Sequence, residues 1–166
     1  MLSLKSFRKF FFSQLKGDVL EIGPFNRPVV KNARYFDIYD KKGLTEAAYL
    51  VGRDVTGIPE IDYVDPNGDL SVIPDQFDFV VSAHAIEHQP DLIEHLTQVC
   101  SLLSPNGEYW LAIPDKRFCF DHYFKTSSKD EVLAAIGNRT HSWDTILRHY
   151  TMTTHNNARK HWIGMH

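Results

Sequence analysis

The most compact group of chemically active side chains is His84-Ala-Ile-Glu-His88, which contains two histidines and a glutamate. Histidine exchanges a proton near neutral pH and binds transition metals, so this segment suits proton transfer or metal binding. The spacing also matches H-x-x-E-H, the pattern of inverted zinc peptidases, in which the histidines hold zinc and the glutamate is the base. Such a site requires a long helix and a third ligand farther along, whereas this segment directly follows an apolar run and precedes Pro90. Zinc hydrolysis is therefore kept as a minor alternative.

Acidic residues at the ends of other apolar runs favour a nucleoside ligand. Asp37 ends one run, where an acid is placed to accept hydrogen bonds from both hydroxyls of a ribose; a solvated turn acid is the alternative. Asp69 could accept from an adenine amino group while the amide of Leu70 meets a ring nitrogen. Glu21 and Gly23 end the first run, where a glycine lets the backbone approach a ligand closely.

Five apolar segments are predicted to be strands, and helical segments separate them. The predicted strands are residues 18–23, 33–39, 61–64, 77–82 and 108–113, and the predicted helices are 3–15, 44–51 and 90–103. Strands that alternate with helices favour a parallel sheet with right-handed crossovers. The sequence therefore predicts a doubly wound, Rossmann-like α/β fold of about five strands with a helical C-terminal tail. Ligands of such sheets bind at the carboxyl ends of the strands.

Two longer motifs carry a family resemblance over about residues 17–117. They are Phe77-Asp-Phe-Val-Val-Ser-Ala-His-Ala-Ile-Glu-His88 and Leu102-Leu-Ser-Pro-Asn-Gly-Glu108, the second leading into the fifth predicted strand. Together they resemble class I S-adenosylmethionine-dependent methyltransferases of the small-molecule branch. The segments at 20–24, 112–118 and 153–156 further resemble bacterial methyltransferases associated with surface-polysaccharide biosynthesis.

The resemblance implies S-adenosylmethionine as cofactor and assigns residues to it. The implied cofactor-binding residues are Glu21, Gly23 and Pro24 at the methionine part, Asp37 at the ribose, Ile38, Asp69 and Leu70 at the adenine, and Ser82 with His84 beside the sulfonium. The first loop departs from the family's acid-x-Gly-x-Gly-x-Gly pattern, because Phe25 and Asn26 stand where a glycine is usual. Either the loop takes another path or affinity for the cofactor is lost.

Methyl transfer to a hydroxyl requires that the nucleophile be positioned and its proton removed. His84 and His88 flank the implied methyl site, so we predict that one of them is the base and that Asp115 orients the acceptor. For His88, a structural hydrogen bond from a helix start to a loop is the alternative. The predicted function is methylation, at oxygen, of a small-molecule or glycan acceptor. A noncatalytic protein of the same fold that binds a partner is the competing hypothesis.

Composition and charge exclude several classes of protein. The net charge of −3 gives no general affinity for polyanions, and the motifs of DNA-base methyltransferases are absent, so no nucleic-acid substrate is expected. No apolar run approaches the roughly 20 residues of a transmembrane helix. Without a signal peptide, and with only Cys100 and Cys119, the chain is expected to be cytoplasmic.

The C-terminal part is the least predictable region. We expect one domain over residues 1–166, with an N-terminal helix in 1–16, a cofactor-binding core in 17–117 and a lid or truncated remainder in 118–166. Helices are expected from Ser127 or Ser128 to Ile136 and from Ser142 to His149. No strand pair is predicted after the fifth strand, so its edge should be unpaired and should support a homo-oligomer.

Overall fold

A five-stranded sheet forms the centre of the structure, a computed structural model that describes residues 12–166. The strands are β1 (Val19–Ile22), β2 (Arg34–Asp37), β3 (Tyr63–Val64), β4 (Phe77–Ala83) and β5 (Leu103–Ala112). They lie in the order β3-β2-β1-β4-β5, and every neighbouring pair is parallel. The predicted doubly wound α/β fold is confirmed. The strand order reverses between β1 and β4, and ligands of open parallel sheets bind outside the carboxyl ends of the strands at such a reversal.

Helices flank the sheet and make up much of the C-terminal part. They are α1 (Lys41–Leu50), α2 (Leu92–Leu102), α3 (Lys129–Ala134), α4 (Trp143–Met152) and α5 (Ala158–Trp162). Short 3-10 helices lie at Leu70–Val72, Ile86–His88 and Lys116–Phe118. The expected helical tail is confirmed by α3, α4 and α5. Across residues 12–166, no helix is both long and apolar enough to cross a membrane.

Burial on both faces of the sheet explains the apolar runs of the central strands. One face of the sheet packs on α2 through a core cluster that includes Leu20, Phe77, Val80 and Val99, each at most 1% exposed. The opposite face has its own cluster of Phe12, Val19, Val30 and Val81. The predicted N-terminal helix lies mostly outside the described residues, although Phe12 is buried and Leu15 packs beside it.

Side-chain caps determine where α1 and α2 begin. The Asp40 carboxylate accepts a 2.8 Å hydrogen bond from the amide of Gly43, so α1 begins earlier than its apolar pattern predicts. Asp91 caps α2 by accepting from the amide of Glu94 at 2.9 Å. Pro90 therefore lies before the helix, whereas the predicted helix of residues 90–103 began at Pro90.

β5 also begins earlier than its apolar pattern predicts. Leu103, the residue that follows α2, already pairs with Phe77, and regular pairing resumes where Glu108 lies opposite Phe79. Residues 104–107, which precede the predicted strand 108–113, thus form an irregularity inside β5, where Asn106 has a φ of 68°. β5 lies at the edge of the sheet, and within residues 12–166 no further strand pairs with it.

Candidate functional site

A cleft of about 440 Å³ lies at the carboxyl ends of the strands, beside the reversal in strand order. This volume is within the range of small-molecule sites, roughly 300–1,000 Å³. The predicted site residues that line the cleft are Gly23, Asp37, Ile38, Leu70, His84 and His88. The predicted residues outside its lining are Glu21, Pro24, Asp69, Ser82 and Asp115. The structure thus brings together about half of the predicted residues around one cleft.

A second depression, of about 570 Å³, lies beside α1. Its lining is mostly exposed and charged, and Lys41 Nζ lies 2.5 Å from Glu60 Oε1 across it. No residue of this lining is buried. Because a ligand there would remain largely solvated, the cleft at the strand ends is the better candidate site.

The loop after β1 turns sharply toward the loop after β4. Gly23 has a φ of 68°, and a Cβ added there would lie 3.0 Å from the Cβ of Ala85. Phe25 also adopts a positive φ, 44°, which is uncommon for a side chain of this size. Such strained backbone persists where the surrounding structure holds it in place, often at functional sites. The loop therefore makes a left-handed turn at Phe25 although no glycine is present there.

Buried polar side chains hold this loop in place. Glu21 is 1% exposed, and its carboxylate accepts from the amides of Val29 at 2.8 Å and Val30 at 2.9 Å. Asn26 is also buried and donates from its side-chain amide to the carbonyl of Asp54 at 2.8 Å. The residues that replace glycines thus have structural contacts, and Glu21 acts on the loop backbone and not on the cleft surface.

Asp37 places a nearly buried carboxylate at the end of β2, in the wall of the cleft. It accepts hydrogen bonds from the amide of Ile38 at 2.8 Å and from the amide of Phe25 at 3.4 Å. Burial raises the pKa of this carboxyl above its ordinary value, and the two amides oppose that effect. These amides also orient the carboxylate, which leaves it able to accept further hydrogen bonds from a ligand in the cleft.

Gln98 of α2 occupies the polar groups that the sequence assigns to an adenine. Its Oε1 accepts from the amide of Leu70 at 3.0 Å, and its Nε2 donates to the Asp69 carboxylate at 2.9 Å. One side-chain amide therefore makes the donor and acceptor contacts predicted for the ligand. Leu70 lines the cleft, whereas Asp69 caps the 3-10 helix that begins there.

The segment after β4 contributes two histidines to the cleft. His84 has a φ of 57°, so positive φ occurs at the ends of both β1 and β4. Its imidazole is about half exposed, and Nδ1 lies 3.8 Å from the carboxylate of Glu87. His88 also lines the cleft, and its carbonyl accepts a 2.9 Å hydrogen bond from Nε2 of His141.

This segment does not have the architecture of an inverted zinc peptidase. Ile86–His88 is a single 3-10 turn, and α2 starts only at Leu92, so His84 and His88 do not lie on one face of an α-helix. Within residues 12–166, the group of three side chains close enough to share a metal ion lies elsewhere in the chain. The structure therefore does not favour zinc hydrolysis here.

A contact between a buried histidine of the cleft lining and a partly buried tyrosine was not predicted. His95 is 5% exposed, lines the cleft, and places Nε2 3.0 Å from the hydroxyl of Tyr109. Burial lowers the pKa of His95 to about 4 and raises the pKa of Tyr109 to about 12, so both groups are neutral near pH 7. Ser82 is buried next to Tyr109 and opposes this rise in its pKa. The sequence could have indicated this buried histidine, because His95 lies on the apolar face of the predicted helix 90–103.

The C-terminal tail also reaches the cleft. Arg139 and Thr140 are part of its lining, and among residues 12–166 Arg139 is the only lysine or arginine there. The amide of Gly137 donates to the Asp91 carboxylate at 2.6 Å, which ties the tail to the start of α2. No local pattern in the sequence indicates this contact, because Arg139 follows α3 far from the sheet in sequence.

Asp115 lies outside the cleft, in an ion pair with Arg117. Its carboxylate is bonded by the Arg117 side chain, with Oδ2 2.6 Å from a guanidinium nitrogen. The hydrogen bonds from Arg117 lower the pKa of Asp115 to about 2. The role predicted for Asp115 would require this carboxylate to exchange Arg117 for the acceptor.

Comparisons with known proteins agree with this geometry. The profile of a family described as a methyltransferase domain matches residues 3–162, which is nearly the whole chain. A search of curated proteins gave no significant match. The strand order, the cleft at its reversal and the matched profile together show that the chain belongs to this methyltransferase domain family.

Proposed function

We propose that this methyltransferase uses S-adenosylmethionine and methylates a hydroxyl of a small-molecule or glycan acceptor. The observation that carries the proposal is the Asp37 carboxylate in the wall of the cleft, at the end of β2 and beside the reversal in strand order. An acid at this place in a doubly wound sheet is suited to the two hydroxyls of a ribose. The resemblance to polysaccharide-associated methyltransferases supports a glycan as one acceptor class.

The residues around the cleft fit the cofactor. Its volume of about 440 Å³ suits a nucleoside-sized ligand. The close approach of Gly23 to Ala85 leaves room only for a residue without a side chain, so backbone faces the cleft there. Ile38 and Leu70 supply apolar surface for a base, and Asp37 supplies the acceptor for the ribose.

A cofactor held by Gly23, Asp37, Ile38 and Leu70 would supply an electrophilic methyl group for the acceptor oxygen, with a neutral thioether as the by-product. The protein then has to position the acceptor and remove the hydroxyl proton. We assign the proton acceptance to His84, because the Glu87 carboxylate, 3.8 Å from Nδ1, would stabilise the imidazolium that forms. His88 is the alternative base.

The tail would shield the reaction from water. Arg139 and Thr140 form part of the cleft wall, and His141 donates to the carbonyl of His88. Excluding water strengthens the interaction of Arg139 and Asp37 with a bound ligand. This arrangement supports a covered site in which the cofactor and the acceptor both contact the tail.

Calorimetry with S-adenosylmethionine and S-adenosylhomocysteine tests cofactor binding. Asp37→Asn should weaken binding about 10–100-fold, because hydrogen bonds to a charged acceptor are replaced by weaker ones. Asp40→Asn is the matched control, since asparagine caps a helix as well as aspartate does, and it should bind like the unmodified chain. No binding by well-folded protein would contradict the enzyme and favour a noncatalytic binding protein.

Transfer of a labelled methyl group to panels of hydroxylated small molecules and glycans tests the acceptor class. His84→Gln should lower the transfer rate by about 100-fold or more while cofactor affinity is retained. His88→Gln is the comparison variant. Loss of transfer in His88→Gln alone would move the base to His88, and label on nitrogen or on a nucleic acid would contradict the proposed acceptor.

A further inference from the structure

Three histidines come together in the C-terminal part of the structure, away from the residues that line the cleft. They are His122, His161 and His166, and one ring nitrogen from each lies within 4.8 Å of the other two. In the part of the chain that the structure describes, they are the group of three potential ligands that could share one ion. Imidazole nitrogen is a preferred ligand of zinc and related transition metals.

Backbone carbonyls orient two of these rings as a metal site requires. His122 Nδ1 lies 3.0 Å from the carbonyl of Arg117, and His161 Nε2 lies 2.8 Å from the carbonyl of His155. A carbonyl only accepts, so each of these nitrogens carries the hydrogen of the neutral ring. His122 Nε2 and His161 Nδ1 therefore carry no hydrogen and can act as ligands; without an ion, His161 Nδ1 lies in hydrogen-bond contact with His166 Nδ1. Histidine ligands of metals commonly donate their other N–H to a carbonyl in this way.

One pair of nitrogens already has the spacing of a tetrahedral site, and all three lie within 4.8 Å of one another. Zinc–nitrogen bonds of roughly 2.0–2.1 Å place two ligand nitrogens about 3.3 Å apart. His161 Nδ1 and His166 Nδ1 are already 3.1 Å apart. The His166 ring stacks on His122 with 3.7 Å between centroids, and its residue is exposed, so a turn of this ring completes the set.

Contacts that do not involve the three histidines hold residues 116–122 and the C-terminal segment together. The amide of Thr154 donates to the carbonyl of Phe120 at 3.0 Å, and the rings of Phe118 and Trp162 pack with 5.3 Å between centroids. His155 supports the site and is not a ligand, because both of its ring nitrogens have backbone partners. The ligands are thus held near their positions before any ion binds, which lowers the entropic cost of binding.

We propose that His122, His161 and His166 bind one zinc-class divalent metal ion, which fastens the C-terminal segment to the turn that follows β5. Three protein ligands leave a fourth position for water. The ion links residues 116–122 to residues 155–166. This site is independent of the cleft and of the cofactor assigned to it.

Metal analysis of untagged protein tests the proposal. After chelator treatment, the chain should bind one Zn²⁺ per molecule in a calorimetric titration, and Co²⁺ should give the visible spectrum of a tetrahedral complex. His166→Ala and His122→Ala should each weaken zinc binding by at least about 100-fold. His149→Ala is the matched control, since its ring packs on Phe120 outside the cluster, and it should retain full affinity.

Other measurements guard against a misleading loss of binding. Circular dichroism should show that each variant keeps its fold, and His166→Ala is the least disruptive because the residue is exposed. Zinc should slow hydrogen exchange in residues 155–166 of the unmodified chain and of His149→Ala, but not of His122→Ala or His166→Ala. Absence of stoichiometric zinc, unchanged affinity in folded His122→Ala and His166→Ala, or equal loss in His149→Ala would overturn the proposal.

Discussion

The buried contact between His95 and Tyr109 should make the stability of the protein depend on pH. His95 is 5% exposed, and burial lowers its pKa from 6.5 to about 4. Between pH 6.5 and about 4, His95 of the unfolded chain binds a proton that His95 of the folded chain does not. The free energy of unfolding is therefore highest above pH 6.5 and falls as the pH drops toward 4. The difference between the two pKa values of His95 corresponds to a total loss of about 3 kcal/mol once the pH is below both. Between about pH 7 and 5, the expected loss is about 2 kcal/mol.

His95→Gln isolates this contribution, because glutamine still reaches a hydrogen bond with the Tyr109 hydroxyl and does not titrate. Urea unfolding at a series of pH values gives the free energy of unfolding of both proteins. The unmodified chain should lose about 2 kcal/mol more than the variant between about pH 7 and 5. Contributions of carboxyl groups such as Asp69 and Asp91 are common to both and cancel. Parallel pH profiles of the two proteins would refute the assignment of a buried, neutral His95.

Gly23→Ala should cost about 1–2 kcal/mol of stability through its positive φ and should also weaken cofactor binding, because the added Cβ meets Ala85. Gly52→Ala, at a φ of 65° with open space around it, should lower stability in thermal unfolding but leave cofactor affinity in calorimetry unchanged. An equal loss of cofactor affinity in both variants would contradict the close approach of Gly23 to Ala85. Gln98→Ala should lower stability by about 1–2 kcal/mol and loosen the Leu70 turn, so the cofactor should bind more weakly. Tighter binding would show instead that Gln98 competes with the adenine. The edge of β5, which no other strand within residues 12–166 covers, predicts a homodimer or higher homo-oligomer; a monomer in small-angle scattering at high concentration would argue against it.

The sheet was predictable because its central strands are buried on both faces. Residues such as Leu20 and Val80 belong to apolar runs that have few other interpretations, and the order of elements then limits the topology. The position of Gly23 and Asp37 at the strand ends follows from the same pattern, since the carboxyl ends of parallel strands share one edge. The residues predicted after β1, β2, β3 and β4 therefore include members of the cleft lining, whereas Asp115 after β5 lies outside it.

Contacts between distant segments were beyond the sequence pattern. Nothing local indicates that Arg139 reaches the cleft or that Gln98 bonds with Asp69, because such contacts depend on how the tail and α2 pack. Helix starts were misjudged where a cap such as Asp40 outweighs apolar periodicity. Six of the nine histidines lie after residue 118 in the sequence, but only the fold brings three of their rings together.

A crystal structure of the chain with S-adenosylhomocysteine tests the central claim most directly. We expect the nucleoside of the bound ligand in the cleft at the strand ends, with both ribose hydroxyls within hydrogen-bond distance of the Asp37 carboxylate and the thioether near His84. A ligand bound elsewhere, or an empty cleft at saturating ligand in well-ordered crystals, would contradict it.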